Sequence, residues 1–257
     1  MHCKNESIAD NSKQTKTISV ITATYNAEKS INQLIQSLQN QSDKDFEWIV
    51  ADGGSNDGTL SLIKDASDLN VNLDSARDCG IYDALNRAVS LCTSDYYIVL
   101  GADDLLYQNS IFLFKEEIKK SPGASFYCFA LNEGGFRIKK PKKGKFWLYG
   151  LGGECSGHAV SLVIRRSVHQ RIGLYSTKYT ICADQYLVGK AVKEELVFKR
   201  SDICVGEYGI EGFSAQNRLA SLCESFLIKH ELCEFKILQV LLFILRLIKF
   251  SVGRSND

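Results

Sequence analysis

The chain has 257 residues, 31 basic and 30 acidic side chains, and an apolar content of 45%, enough to bury one large core without disulfide or metal staples. A net charge of +1 offers no broad basic field for a polyanion, which excludes a nucleic-acid-binding protein. Nine cysteines with no C-x-x-C pair lack the spacing of a zinc knuckle or a secreted disulfide framework, and read as reduced thiols of a cytosolic protein.

In chain order, residues 1–16 are polar, hold no apolar run of signal-peptide length, and are expected to form a disordered leader. Residues 17–23 (T-I-S-V-I-T-A) are β-branched and almost continuously apolar, as in a strand buried on both faces. Residues 28–41 carry Ile31, Leu34, Ile35 and Leu38 at i, i+3, i+4, i+7 spacing, which predicts a helix with Asn26 in N-cap position. Residues 46–51 (F-E-W-I-V-A) predict a second strand that stops at Asp52-Gly53-Gly54. This is a βαβ unit with a right-handed crossover. A short helix from Thr59, a brief strand at 71–73 and a helix over 80–92 follow, the last with Ile81, Leu85, Ala88 and Cys92 as its apolar stripe and Tyr82 outside it. Residues 96–100 (Y-Y-I-V-L) predict a buried strand running into Gly101-Ala102-Asp103-Asp104.

In an open α/β sheet, ligands bind beyond the carboxyl ends of the strands. Three predicted strands end in polar or acidic groups, at Thr24-Tyr25-Asn26, at Asp52 and at Asp103-Asp104. As parallel neighbours they would line one rim, suited to a cation and a phosphorylated ligand. The second half is less regular. A basic loop (K-K-P-K-K-G-K, 139–145), a strand at 159–164, a helix over 165–172 closed by Gly173, a helix over 183–192 and a strand at 196–199 are expected, and the chain beyond Gln216 reads as helical. The organisation expected is a leader (1–16), a catalytic domain (17–216) and a helical C-terminal segment (217–257).

Transfer of a group from a nucleoside diphosphate leaves negative charge on the diphosphate, which a divalent cation on carboxylate ligands neutralises. Asp103 and Asp104, where a buried strand meets solvent, are candidates for that cation; an Asp pair also opens turns for local reasons. The glycines of D-G-G-S-N-D-G-T (52–59) permit close backbone approach, with Asp52 able to accept from a base or ribose; the same residues also make a turn that caps a helix.

I-S-V-I-T-A-T-Y-N (18–26), D-G-G-S-N-D-G-T (52–59) and G-A-D-D (101–104) resemble, in order and spacing, the signatures of the family 2 glycosyltransferases. R-D-C-G-I-Y-D-A-L-N (77–86) is similar to a segment of that family's bacterial polysaccharide-assembly branch, as are S-G-H (156–158), R-R (165–166), I-G-L-Y (172–175), A-D-Q-Y (183–186) and G-E-Y-G-I-E-G-F-S-A (206–215). The resemblance covers about residues 17–229. It implies a GT-A fold, a Rossmann-like mostly parallel α/β sheet flanked by helices, and inverting transfer from a nucleotide sugar, a UDP-sugar by family habit. The product would be a glycan or lipid-linked glycan of the O-antigen or capsule kind, made by a hexosyl- or N-acetylhexosaminyl-transferase. It assigns Asp184 as the acceptor-activating base and His158 to the acceptor side. Donor contacts fall to Thr24, Tyr25, Asn26, Asp52, Gly53, Asp57, Arg77, Asp78, Gly80, Asp83, Asn86, Ala102 and Asp103. Mg²⁺ or Mn²⁺ would sit on Asp103 and Asp104.

Three positions depart from the pattern. Gly101 replaces the usual first acid of D-x-D, Ala159 follows His158 where Gln is usual, and Gln185 follows Asp184 where Tyr is usual. Gly101 supports a rival reading as an inactive nucleotide-sugar-binding or scaffold subunit. A nucleotidyltransferase or NAD enzyme would need a Gly-rich phosphate loop after the first strand, and Thr24-Tyr25-Asn26-Ala27 has none. Residues 237–248 (I-L-Q-V-L-L-F-I-L-R-L-I) fall short of the roughly 20 needed to span a bilayer. They fit a core helix or an interfacial helix at the cytoplasmic face of a membrane, and the lipid-linked acceptors usual in the family favour the second.

Overall fold

A computed structural model describes residues 18–209 and 217–253. The expected leader and residues 210–215 of the G-E-Y-G-I-E-G-F-S-A segment lie outside the described residues. The first half is built of β1 (Ile18–Thr24), α1 (Ile31–Gln39), β2 (Glu47–Asp52), α2 (Thr59–Asp65), β3 (Val71–Ser75), α3 (Ile81–Leu91) and β4 (Tyr96–Val99). These strands pair in the order β3-β2-β1-β4, all parallel. The register sets Thr24 opposite Asp52 and Asp52 opposite Ser75, so three strand ends lie level on one rim.

Both sheet faces are buried, and side chains alternate between them as strand geometry requires. Trp48, Val50, Tyr96 and Ile98 pack with Ile31, Leu34 and Leu38 of α1. Ile49, Ala51, Tyr97 and Val99 pack with Leu85 and Ala88 of α3 on the other face. One buried carboxylate sits in this framework. Glu47 accepts from the Ser19 hydroxyl, from Thr93 N at 2.8 Å and Thr93 Oγ1 at 2.9 Å, and from Ser94 N at 3.2 Å. Burial alone would raise its pKa, but these hydrogen bonds outweigh it and hold the carboxyl below its ordinary value.

The second half contains β5 (Leu105–Leu106), α4 (Ser110–Lys120), β6 (Phe126–Glu133), β7 (Arg137–Lys139), α5 (Phe146–Tyr149), β8 (Leu162–Arg165), α6 (His169–Ile172), α7 (Ala183–Lys193), β9 (Phe198–Tyr208), α8 (Arg218–Leu232) and α9 (Lys236–Gly253). The sheet continues β4-β8-β6-β9-β5, with β7 on the side of β6. Here the directions mix: β4–β8, β6–β8 and β5–β9 are antiparallel and β6–β9 is parallel.

Several local expectations shift. Asn26 is not the cap of α1; it sits at φ +48°, with Ser30 at the cap position. Tyr82 is buried and Ile81 is exposed, so the buried stripe of α3 is rotated from the one expected. Residues 159–161 form a 3₁₀ turn ahead of β8, and the strand expected at 196–199 is the start of the eleven-residue β9. Ile228 of α8 is buried in the α3/α7 cluster, whereas α9 lies on the surface. Among the described residues no helix is long and apolar enough to cross a membrane.

Candidate functional site

Asp52 is fully buried and fastens the rim. Its Oδ1 accepts from Thr24 Oγ1 at 3.2 Å and Ser55 Oγ at 2.5 Å, and its Oδ2 from Gly54 N, Ser55 N and Ser75 Oγ at 2.9, 2.9 and 2.7 Å. A carboxylate offers about four lone-pair sites, and here all are used. Burial pushes the Asp52 pKa up, but the bonds from Ser55, Ser75 and Gly54 prevail and lower it. The carboxylate, expected to accept from a base or ribose, here ties the loops after β1, β2 and β3 into one ledge.

The rest of that ledge is cross-braced. Asn26 N donates to Ser55 Oγ, and Asn56 N donates to Asn26 Oδ1 at 3.0 Å. Asp57 Oδ1 accepts from Thr59 N and Thr59 Oγ1 at the start of α2, and its Oδ2 from Glu28 N. Thr59 is the main reason its pKa is lowered. Tyr25 is exposed beside Asn26. Asp78 Oδ1 caps Gly80 N at 3.0 Å and its Oδ2 overhangs Gly53, where any Cβ would come within 2.7 Å. Gly80 stands at φ +121°, a conformation in which a side chain is strained. Arg77 packs against Gly54.

Two residues assigned to the donor by resemblance have partners within the protein. Asp83 Oδ2 accepts from Cys79 N at 3.0 Å, bracing the start of α3. Asn86 both donates to Tyr175 O and accepts from Tyr175 N, each at 2.9 Å, clamping α3 to the loop before α7.

Next to the ledge, past the N-terminus of α3, opens a cleft of about 820 Å³ whose lining includes Asp103, Asp104, His158 and Asp184. Asp103, Asp104, His158 and Asp184, far apart in sequence, are thus brought to one cavity, whereas Thr24, Asn26, Asp52, Asp57, Arg77 and Asp78 lie on the ledge and are not part of its lining. The two aspartates of G-A-D-D differ. Asp104 is buried and accepts from Gly101 N at 2.6 Å and Gly209 N at 3.2 Å, and burial raises its pKa. Asp103 is half-buried on the cleft wall. Gly101 has a steric reason: a Cβ there would stand 2.9 Å from both Asp103 Oδ1 and Asp104 Oδ2.

His158 stacks on Tyr208 with ring centroids 4.6 Å apart, and its Nδ1 accepts a long bond, 3.5 Å, from Val160 N. Its ring lines the same cleft as Asp104 and Asp184. Asp184 opens α7, with Oδ1 accepting from Gln185 N at 2.7 Å and from Tyr82 Oη at 3.4 Å. Burial is the largest influence on it and holds its pKa above the usual carboxylate range.

Among the described residues no group of three His, Cys, Asp or Glu side chains could hold a metal alone. The donor set nonetheless fits Mg²⁺ or Mn²⁺, hard cations that are commonly held by one or two carboxylates with substrate phosphates and water completing the shell. Asp103 suits that role better than Asp104, whose oxygens are engaged by backbone N–H groups.

Sequence reasoning missed Glu224 of α8. Its carboxylate accepts from Thr180 N, Thr180 Oγ1, Ile181 N and Cys182 N at 2.8–2.9 Å, gripping the turn that leads into Asp184. Glu231, seven residues on along the same helix, binds Lys178, Tyr179 and Tyr186. Nothing local marks either residue; only the i, i+7 spacing places both on one face.

A PGL/p-HBAD biosynthesis glycosyltransferase of Mycobacterium bovis is 40% identical over 93 residues, 35% of this chain and 36% of that one. The match thus spans about a third of that relative. The solved structure of S. aureus TarS 1–349 in complex with UDP-GlcNAc superposes with a TM-score of 0.64 at 17% identity, covering 88% of this chain and 70% of that one. The mannosyltransferase PcManGT from Pyrobaculum calidifontis, in complex with GDP-Man and Mn2+, gives a TM-score of 0.64 at 17% identity, covering 91% and 75%. These neighbours share the GT-A fold. The family model described as glycosyl transferase family 2 matches residues 19–173, more than half of the chain. With the rim of strand ends and the acidic cleft in place, the chain belongs to glycosyl transferase family 2.

Proposed function

We propose that this enzyme is an inverting transferase that takes a hexosyl or N-acetylhexosaminyl group from a UDP-sugar to a hydroxyl of a glycan or lipid-linked glycan, at the cytoplasmic face of a membrane. The observation that carries this is the shared cleft of Asp103, His158 and Asp184 beside the Asp52 ledge. The nucleoside would lie on the ledge, against Thr24, Tyr25, Asn26 and Gly53, with Arg77 bordering the diphosphate as guanidinium groups favour. Asp103 would hold Mg²⁺ or Mn²⁺, which supplies Lewis-acid stabilisation of the departing diphosphate. Asp184 would take the acceptor's proton as its oxygen attacks. A carboxyl whose pKa burial has raised is a better base near neutral pH than an ordinary one. The neighbours solved with UDP-GlcNAc and with GDP-Man and Mn2+ support a nucleotide-sugar donor and a divalent cation. The catalytic unit would extend through α8, because that helix supplies both core packing and the grip on the Asp184 turn.

The rival, an inactive binding subunit, loses its main support. Gly101 is explained by the two carboxylates that crowd it and needs no loss of function. Thermal-shift titration with UDP-, GDP- and dTDP-sugars, with and without Mn²⁺, tests the reading. Stabilisation by UDP-sugars only with Mn²⁺ present, and lost in Asp103→Asn, is expected. Absence of any nucleotide effect would count against it.

A further inference from the structure

The last helix is amphipathic in the inverse sense. Its inward positions include polar groups: Gln239 is fully buried and donates to Trp147 O at 2.8 Å, and Arg246 donates to Leu148 O. Phe243 anchors the same side by stacking on Phe226 of α8 at 4.3 Å. Outward, the helix presents Ile237, Leu241, Ile244, Leu245, Ile248 and Val252, with Ile237 79% and Leu245 62% exposed. A helix facing water puts polar groups outward; this one does the reverse. So large a contiguous aliphatic face marks an interaction surface.

Charge and neighbours say what covers it. No acidic residue occurs in the 18 residues of α9, while Lys236, Arg246 and Lys249 do. The carbonyls that anchor α9 belong to α5, whose Trp147 and Tyr149 are exposed beside it. Lys142 lies over the Tyr149 ring at 5.4 Å, and Lys143 and Lys145 are exposed on the same loop. An aliphatic helix face, a Trp and a Tyr at its edge and a cluster of lysines are the elements of an interfacial helix on an anionic bilayer. The width of the face decides against a second copy of the chain. At 3.6 residues per turn these aliphatics, with Leu238 and Val240 that are also exposed, sweep roughly 160° of circumference, broader than the two-position seam of a coiled coil.

We propose that α9, with Trp147, Tyr149 and the 142–145 lysines, is a docking surface that lays the enzyme on an anionic lipid bilayer without crossing it. The surface deepens the membrane-face part of the proposed function, but it shares no residue with the cleft and is tested by binding alone, so either can fail without the other.

The full chain is sedimented with vesicles of phosphatidylcholine alone or with one lipid in three replaced by phosphatidylglycerol. Binding to the anionic vesicles tighter by about tenfold or more, and falling as salt is raised, is expected. Brominated lipid should quench Trp147, since the other tryptophan, Trp48, is fully buried. A Leu241→Glu, Ile244→Glu, Ile248→Glu variant should lose sedimentation while keeping its melting temperature and its nucleotide response. Should that variant misfold, Lys142→Glu with Lys143→Glu on the exposed loop should still weaken anionic binding. Failure of the wild-type chain to bind either vesicle, or undiminished binding by a folded variant, overturns the proposal. So does a dimer that the triple variant abolishes while lipid leaves Trp147 unquenched, which would assign the face to a second copy.

Discussion

Asp184 and Asp103 ask for opposite experiments because their surroundings differ. Burial raises the Asp184 pKa, so its charged form is costly in the folded chain. For an acid shifted upward, stability falls as pH rises from the unfolded to the folded pKa. A base must be ionised to act, so transfer should rise with pH through a midpoint above the ordinary carboxylate range; a flat profile there would contradict the assignment. Asp184→Asn should lower transfer by about 10²–10⁴-fold with donor affinity retained, and at neutral pH it should melt no lower than wild type. The two neighbours in G-A-D-D should separate. Asp103→Asn should abolish the Mn²⁺ dependence of nucleotide binding and leave folding intact. Asp104→Asn sets an amide against the N–H groups of Gly101 and Gly209, and should cost about 1–3 kcal/mol in urea unfolding.

The α8 helix works at a different range. Glu224 touches no reacting atom in the proposed chemistry; it positions the 180–182 turn and through it Asp184. Burial pushes its pKa up, but the bonds from Ile181, Thr180 and Cys182 hold it down. That stabilisation is present above the unfolded pKa and is lost as pH falls through the folded one. Glu224→Ala should lower kcat about ten- to a hundredfold with donor affinity unchanged, and Glu224→Gln should recover part of the loss; a loss confined to melting temperature would make its role purely structural. In the first half, Glu47→Ala would strip an acceptor from Thr93 N and Ser94 N and should cost about 1–3 kcal/mol of unfolding free energy. The β1–β4 framework was legible in sequence because β1, β2 and β4 are apolar on both faces and the periodic helices α1 and α3 lie between them. The strands β5 to β7 and helix α4 were not anticipated, and β9 was expected to be far shorter. Many β9 positions are only partly buried, which weakens the hydrophobic signal. The site was legible where acids follow buried strands, as at Asp52 and Asp103. It was not legible for Glu224 and Glu231, whose meaning comes from a helix folding back over a distant turn, nor for the backbone bracing by Asp83 and Asn86.

At the scale of the whole molecule, the sheet divides the labour. Its parallel half supplies the ledge, its mixed half and α7 close the cleft, and α8 locks the turn before Asp184 onto the same core. This explains how Asp103, His158 and Asp184, far apart in the chain, reach one cleft. The central claim is that the cleft is a working transfer site whose base is Asp184. Release of UDP from a UDP-sugar to water, with Mn²⁺ present and no acceptor added, tests it most directly. Slow, metal-dependent release by the wild-type chain, cut by two orders of magnitude or more in an Asp184→Asn variant that still binds UDP, is the predicted result. Equal release by the two proteins would contradict it.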